Sequence, residues 1–216
     1  MVRYEKRFSL ILLVIAALLN FGFTLYNDTF VPMKEKDSSL FLHSLYAVFN
    51  SNDTVFLSFS ERVWIPFLDK WSEMNGKGIY LLNSKKFRLE MKNSTSDIYV
   101  SNGDALHYET EESGKRVRKE FELEDDSLTY IIPSKKKWEQ FHKEVFRSSD
   151  GIVLVKIKPM DKNFPFSSIE FLIDEKNFKL KEVVFTGTDG RILHFRIESY
   201  KKKKVTEGKL KKYFSL

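Results

Sequence analysis

Residues Ile98–Tyr108 read Ile-Tyr-Val-Ser-Asn-Gly-Asp-Ala-Leu-His-Tyr, an Asn-Gly pair between two apolar-rich arms. Because Asn and Gly both tolerate positive φ, the pair predicts a type I′ turn, whose twist matches that of two antiparallel strands. His107 has the opposite parity to Leu106 and Tyr108, so we expect its side chain to point away from their face. The stretch therefore predicts a β-hairpin, and its flanking strands decide the fold.

Alternating apolar and polar residues extend the sheet on both sides of this hairpin. Residues 54–66 place Val55, Leu57 and Phe59 on one face, and Lys86–Lys92 alternates apolar with charged side chains. Further strands are predicted at 71–82 (with a bulge at Gly76-Lys-Gly78), 115–123, 151–159, 168–174, 180–186 and 192–199, with a hairpin turn at Thr188-Asp-Gly190 between the last two. The pattern predicts about ten antiparallel strands.

Two segments show helical periodicity instead. Asp37-Ser-Ser39 offers an N-cap, followed by apolar residues at helical spacing up to an end near Asn50. A second helix is predicted after Pro133-Ser134, with Trp138, Phe141, His142, Val145 and Phe146 on one face. A sheet of ten strands curls and needs a cover. The fold class expected is therefore mainly β (α+β), a curved antiparallel sheet covered by amphipathic helices.

The N-terminus is typical of an export signal. Arg3, Lys6 and Arg7 precede Phe8–Leu19, which carries no charge and is shorter than a membrane span. A buried core helix in a cytoplasmic protein is the alternative. We expect a signal peptide or signal anchor at 1–26, a linker at 27–36 and a binding domain at 37–216. Whether the leader is cleaved stays open.

The composition excludes several chemistries. The chain of 216 residues has no Cys, a formal net charge of +6 and four scattered His, without metal-ligand spacing, a nucleophile motif or a phosphate-binding loop. We expect no enzyme activity, no cofactor, no metal and no nucleic acid partner. The acidic residues read as a solvated face rather than a catalytic pair. Lys201–Lys204 reads as a solvated tail, with contact to anionic lipid headgroups as the alternative.

Several motifs in order resemble the LolA family of periplasmic lipoprotein carriers. Ser58-Phe-Ser-Glu61 is similar to that family's SF-x-Q start, and Gly76-Lys-Gly78 followed by Phe87-Arg-Leu-Glu90 to its G-x-G and F-R-W-E strands. Val100-Ser-Asn-Gly103 with Leu106-His-Tyr108 is similar to its V-S-D-G and L-W-x-Y hairpin. The resemblance covers about residues 38–214.

The resemblance implies an unclosed β-barrel of LolA/LolB type, with helices as a lid over an apolar cavity. It also implies a monomeric periplasmic carrier that takes lipoprotein acyl chains from an inner-membrane ABC transporter to an outer-membrane acceptor. Asn102 and His107 depart from the family's Asp and Trp. Its lid-locking Arg is missing from Asn83-Ser-Lys-Lys86, where Lys85 or Lys86 is the nearest substitute.

We expect the lipid-binding surface to combine one strand, the hairpin and the second helix: Phe87, Leu89, Met91, Val100, Leu106, Tyr108, Trp138, Phe141 and Val145. Core packing accounts for each of these residues equally well, because periodicity does not distinguish a core from a cavity wall. Two other functions stay open. One is an anchored or soluble periplasmic binding protein for free lipid or glycolipid, and the other is a cavity-free structural or sensor domain.

Overall fold

The computed structural model describes residues 29–82, 84, 86–92, 96–103, 105–112, 115–122, 138–160, 164 and 166–214. The leader predicted at 1–26, Asn83, Lys85 and the helix start at Pro133-Ser134 lie outside these residues. Within the described ranges, no helix has the length and apolar character that a membrane crossing requires.

Twelve strands, two α-helices and one 3₁₀ turn make up the described chain. The elements are β1 (Val31–Pro32), α1 (Glu35–Phe49), β2 (Thr54–Ile65), the 3₁₀ turn (Pro66–Leu68), β3 (Lys70–Leu81), β4 (Lys86–Lys92), β5 (Ser96–Asn102), β6 (Ala105–Glu112), β7 (Lys115–Glu122), β8 (Phe141–Arg147), β9 (Ile152–Pro159), β10 (Phe166–Asp174), β11 (Leu180–Gly187), β12 (Ile192–Lys203) and α2 (Glu207–Tyr213).

All twelve strands form one antiparallel sheet in the order β1-β8-β9-β10-β11-β12-β2-β3-β4-β5-β6-β7. The last strand, β12, pairs with the first long strand, β2. The sheet ends at β1 and β7, which do not pair with each other, so the barrel is unclosed. The predicted mainly β, unclosed antiparallel fold class is confirmed.

The Asn-Gly hairpin forms, but its turn is displaced by one residue from the prediction. A type I′ turn needs positive φ at both central residues. Here Gly103 has φ 108°, whereas Asn102 is the last residue of β5 and is absent from the positive-φ residues of the described chain. The Asn102 side chain instead accepts a hydrogen bond from the Ala105 N–H at 3.1 Å. The type I′ prediction is therefore wrong, although the strand pairing is right.

The second predicted helix is wrong over most of the part that the structure describes. Trp138 is helical, but Phe141–Arg147 is strand β8, which pairs with β9 on one side and with β1 on the other. Phe141 and Val145 are four residues apart and share a face in either conformation, so the pattern was ambiguous. Pairing with β9 on one side and β1 on the other is what makes this segment a strand.

Two glycines of β3 are required for packing and not for a bulge. The register between β2 and β3 runs without a shift, so the predicted bulge is wrong. Gly76 lies opposite Phe59, and a Cβ there would come within 2.3 Å of the Phe59 ring. Gly78 is opposite Leu57, whose Cδ1 would be 2.6 Å away. Glycine thus leaves room for the large side chains of the neighbouring strand.

The first and last elements also differ from the prediction. Helix α1 begins at Glu35, earlier than the predicted cap at Asp37–Ser39, and Val31–Pro32 adds a short strand where a linker was expected. At the other end, Lys201–Lys203 is exposed as predicted but belongs to β12 rather than to a tail, and α2 follows. Tyr213 of α2 packs against Phe56 at 5.7 Å between ring centroids.

Candidate functional site

One face of the sheet is almost entirely apolar and is covered by α1; we call it the inner face. Directly paired residues of an antiparallel sheet share a face, so the register traces rows across it. One row runs across seven strands, from β8 to β3. It contains Val145, Val155, Phe171, Val183, Phe195, Glu61 and Met74. Six of these seven side chains are apolar, and Glu61 is the exception.

Helix α1 rests on the inner face through three buried apolar residues, Phe41, Leu45 and Phe49, spaced four apart. Phe41 contacts Phe178 at 5.5 Å between ring centroids. Tyr46 contacts Trp138, which in turn lies 4.7 Å from Phe171 of the inner face. The contact between helix and sheet is therefore made by aliphatic and aromatic side chains.

The C-terminal end of α1 is tied to the sheet by Lys202. Its Nζ donates to the Val48 carbonyl at 3.0 Å and lies 3.3 Å from an Asp53 carboxylate oxygen. A cation on the last carbonyls of a helix complements the helix dipole. Lys86, one suggested substitute for the family's lid-locking Arg, lies on the opposite face from Phe87. Nothing in the local sequence pattern singled out Lys202 within the Lys201–Lys204 run.

The structure brings eight of the nine predicted lipid-binding residues to the inner side. Phe87, Leu89, Met91, Leu106 and Tyr108 share the inner face of β4 and β6, and Phe141, Val145 and Trp138 approach it from the β8 end. Val100 does not join them, since it pairs with Arg88 and His107 on the opposite face. A turn centred on Asn102-Gly103 would also put Val100 and Leu106 on opposite faces, so the alternation of the hairpin already argued against including Val100.

These inner residues are closely packed. Trp138, Phe141 and Leu89 are at most 1% exposed, and Val145 is 8% exposed. Neighbouring aromatic rings form a continuous series from β2 to β8, with centroid separations of 5.5 to 6.2 Å: Phe59, Phe195, Phe185, Phe166 and Phe141. The inner face is thus closed in this conformation, and a ligand would have to displace what covers it.

The β5–β7 end of the inner face is more polar. Tyr108 packs against Tyr99 at 4.8 Å between ring centroids, and its hydroxyl donates to Asp97 at 3.0 Å. Thr110 donates to the same carboxylate. Lys119 of β7 pairs with Tyr108 in the register and is exposed. The apolar surface therefore extends from β8 to β4 and ends where β5 begins.

Glu61 is a carboxylate inside the apolar row. It is 4% exposed, and among the described residues none donates a hydrogen bond to it or forms an ion pair with it. Burial raises the pKa of this carboxyl to about 7. The alternation of β2 places Glu61 on the same parity as Leu57 and Phe59, so the sequence carried the signal. Glu61 was interpreted only as part of the Ser58-Phe-Ser-Glu61 motif, and its position on the apolar face was missed.

The opposite, outer face holds the paired charges. Glu182 is 9% exposed at its side chain and lies 2.7 Å from His194 Nε2 and 3.2 Å from Arg196 Nε. Burial alone would raise the pKa of Glu182, but the hydrogen bond and the charge of His194, together with Arg196, lower it. Glu109 is likewise buried and pairs with Arg118 and Arg116. These carboxylates have partners, in contrast to Glu61.

Comparison with known proteins gives a likeness in structure only. No family model and no curated protein matches the sequence. The chain is distantly similar in structure to LolA-superfamily proteins. A LolA-superfamily protein from Nitrosomonas europaea has a TM-score of 0.43 at 9% identity, with 81% of this chain and 97% of that chain covered.

Two further solved structures belong to the same set of distant likenesses. The domain of a putative outer membrane lipoprotein-sorting protein from Vibrio parahaemolyticus gives a TM-score of 0.44 at 9% identity, covering 80% of this chain and 95% of that one. The Pseudomonas aeruginosa MucA/MucB complex gives 0.46 at 11% identity, covering 81% and 60%. These likenesses concern the fold alone, and the LolA resemblance in sequence stays a prediction.

Proposed function

We propose that this protein is a periplasmic carrier that binds lipoprotein acyl chains between the inner face and α1 and moves them from the inner to the outer membrane. The observation that carries the proposal is the row from β8 to β3, apolar except at Glu61, beneath a helix whose buried side chains are all apolar. An acyl chain offers the same kind of surface as α1 and can take its place. Binding without catalysis is the activity proposed.

The free energy needed to expose the buried side chains of α1 is comparable to the free energy gained by burying an acyl chain. Exposing Phe41, Leu45 and Phe49 would cost about 1.5–3 kcal/mol each, or roughly 5–9 kcal/mol together. A long acyl chain gains about 0.8 kcal/mol per buried CH₂, and so ~10 kcal/mol when fully enclosed. A ligand can therefore displace α1 with a small net gain, which is what a carrier needs in order to release its cargo.

The lid role of α1 is tested by weakening its contact with the sheet. Leu45→Ala should raise the affinity of the full chain for N-phenyl-1-naphthylamine by roughly tenfold or more, because the helix is displaced more easily. Leu40→Ala is the matched control, since Leu40 is on the same helix and 66% exposed. Fluorescence titration measures both. If Leu45→Ala lowers stability without raising affinity for the dye, α1 is a fixed part of the core.

The cargo is identified by native mass spectrometry of protein purified without detergent. A bound triacylated protein supports the lipoprotein carrier, whereas a bound lipid or glycolipid supports a binding protein for free lipid. The close packing of Trp138 and Phe141 favours a second candidate, a cavity-free structural or sensor domain. Unliganded protein that also fails to bind the dye would support that candidate instead.

A further inference from the structure

The position of Glu61 along β2 is unusual for a buried carboxylate. On the inner face of this strand, the side chains from Val55 to Glu61 are buried, whereas those of Val63 and Ile65 are half-buried. The buried ones are Val55, Leu57, Phe59 and Glu61. Glu61 is therefore the last buried inner-face position before the strand becomes accessible. An elongated ligand on this face would have its tail beside Phe59 and its other end at Glu61.

None of the described residues around Glu61 stabilises its charge. Its register neighbours are Phe195 on β12 and Met74 on β3, and its inner-face neighbours on β2 are Phe59 and Val63. Burying a carboxyl without a hydrogen-bond partner costs more free energy than burying one that is hydrogen-bonded. Burial also raises its pKa to about 7, so both protonation states occur near neutral pH.

Other polar atoms of the buried chain show the same lack of partners. Nε1 of Trp138 and the hydroxyl of Tyr200 are buried and have no hydrogen-bond partner among the described residues. Trp138 is fully buried and lies against Phe171, a member of the same row as Glu61. Packing alone would favour an apolar side chain at position 61, as at the other six positions of the row.

We propose that Glu61 is a polar anchor of the ligand site and accepts a hydrogen bond from a donor group, a hydroxyl or an amide N–H, at the head of an amphiphile whose tail lies on the apolar inner face beside Phe59. This inference rests on the proposed function, because it assumes that a ligand enters the inner face. It adds the class of ligand, an apolar tail that ends in a hydrogen-bond donor.

Two probes that differ only at the donor test the anchor. 1-Dodecanol carries a hydroxyl hydrogen, and dodecyl methyl ether replaces it with a methyl group. Both are titrated against N-phenyl-1-naphthylamine bound to the full chain. At pH 8.5 the wild-type protein should bind the alcohol roughly tenfold or more tightly than the ether, since a hydrogen bond to a charged acceptor has that effect.

Three variants separate the anchor from other causes. Glu61→Leu should remove the preference for the alcohol while keeping or improving binding of the ether. Glu61→Gln keeps an oxygen acceptor and should show a reduced preference, so it also serves if the Leu variant folds poorly. Glu198→Gln is the control, because Glu198 is an exposed glutamate on β12 and should behave as the wild type.

The outcomes distinguish the two proposals. Equal binding of alcohol and ether by the wild type, or an unchanged preference in Glu61→Leu, would overturn the anchor and leave the carrier function standing. If the wild type binds neither the dye nor either probe, the carrier function fails, and the anchor fails with it.

Discussion

At the scale of single residues, the protein uses glycine where a neighbour is large. Gly76 and Gly78 are buried or half-buried on the inner face of β3, opposite Phe59 and Leu57. Their role is steric, because neither has the positive φ that only glycine adopts easily. The side chains of β2 occupy the space that a Cβ on β3 would fill. The Gly-x-Gly motif is thus explained by packing between adjacent strands.

Gly76→Ala should lower the free energy of unfolding by about 1–3 kcal/mol, because the new Cβ would lie 2.3 Å from the rigid, buried Phe59 ring. Urea denaturation measures the change. Phe59→Leu should recover part of the loss when combined with Gly76→Ala, and Gly208→Ala is the control because nothing lies within 4 Å of its Cβ. Additive effects of the two substitutions at 76 and 59 would contradict a direct clash.

Glu61 should give the protein a pH-dependent stability of opposite sign to that of most carboxylates. Burial raises the pKa of Glu61 in the folded protein from its ordinary value of 4.5 to about 7, so the folded state binds the proton more tightly. The stabilisation is fully present below pH 4.5, decreases between about pH 4.5 and 7, and is absent above that range. The integrated effect is of the order of a few kcal/mol.

Urea denaturation between pH 5 and 8 tests this linkage. Glu61→Gln should remove the loss of stability that the titration of Glu61 causes as the pH rises. The variant should be more stable than the wild type at pH 8, with little difference at pH 5. Glu198→Gln should keep the wild-type profile. A Glu61→Gln profile parallel to that of the wild type would show that the carboxyl titrates normally in the folded protein.

At the scale of elements, α1 and β8 show how context selects secondary structure. Helix α1 has an apolar stripe that fits the inner face, and its end is held by a lysine from a distant strand. In β8, a helix-like spacing of apolar residues becomes a strand between two partners. Lys143, which shares the inner parity of Phe141 and Val145, directs its ammonium group to the carbonyls of Trp138 and Phe141.

Lys202→Met should loosen the last turn of α1 because the Val48 carbonyl loses its donor. We expect a loss of about 0.5–1.5 kcal/mol in the free energy of unfolding. Hydrogen exchange at residues 46–50 should become faster while exchange in the centre of β10 stays unchanged. Lys201→Met is the control, since Lys201 is exposed on the other side of the same strand. Equal effects of both substitutions would mean that the loss of a positive charge, and not the loss of the contact with α1, causes the destabilisation.

At the scale of the whole molecule, an unclosed sheet has two edges to protect. β1 is only two residues long, which limits what can pair with it. β7 is longer and pairs only with β6 in the described sheet. Lys115, Arg116, Arg118, Lys119 and Glu120 of this strand are all exposed. Charged side chains on both faces of an edge strand oppose pairing with a second copy.

Replacing Lys115 and Lys119 of β7 by Val should therefore promote self-association at micromolar concentration. Both lysines have inner-face parity and flank Val117, so the double variant presents a flat apolar edge. Size-exclusion chromatography with light scattering measures the mass. The control replaces Lys77 and Lys92, exposed residues of strands that are paired on both sides, and should stay at the wild-type mass. Association of the control as well would point to net charge rather than the edge.

The sequence by itself determined the strand pattern, because alternation records which side of a strand is buried. It predicted ten of the twelve strands, the site of the hairpin at Gly103, the apolar stripe of α1 and eight of the nine residues that meet on the inner side. Tertiary structure decided the features that the local pattern of apolar and polar residues leaves ambiguous. Pairing on two sides made β8 a strand, and only the assembled rows placed Glu61 between Phe195 and Met74, with no partner among the described residues. These outcomes depend on contacts between residues far apart in the chain, which no local period records.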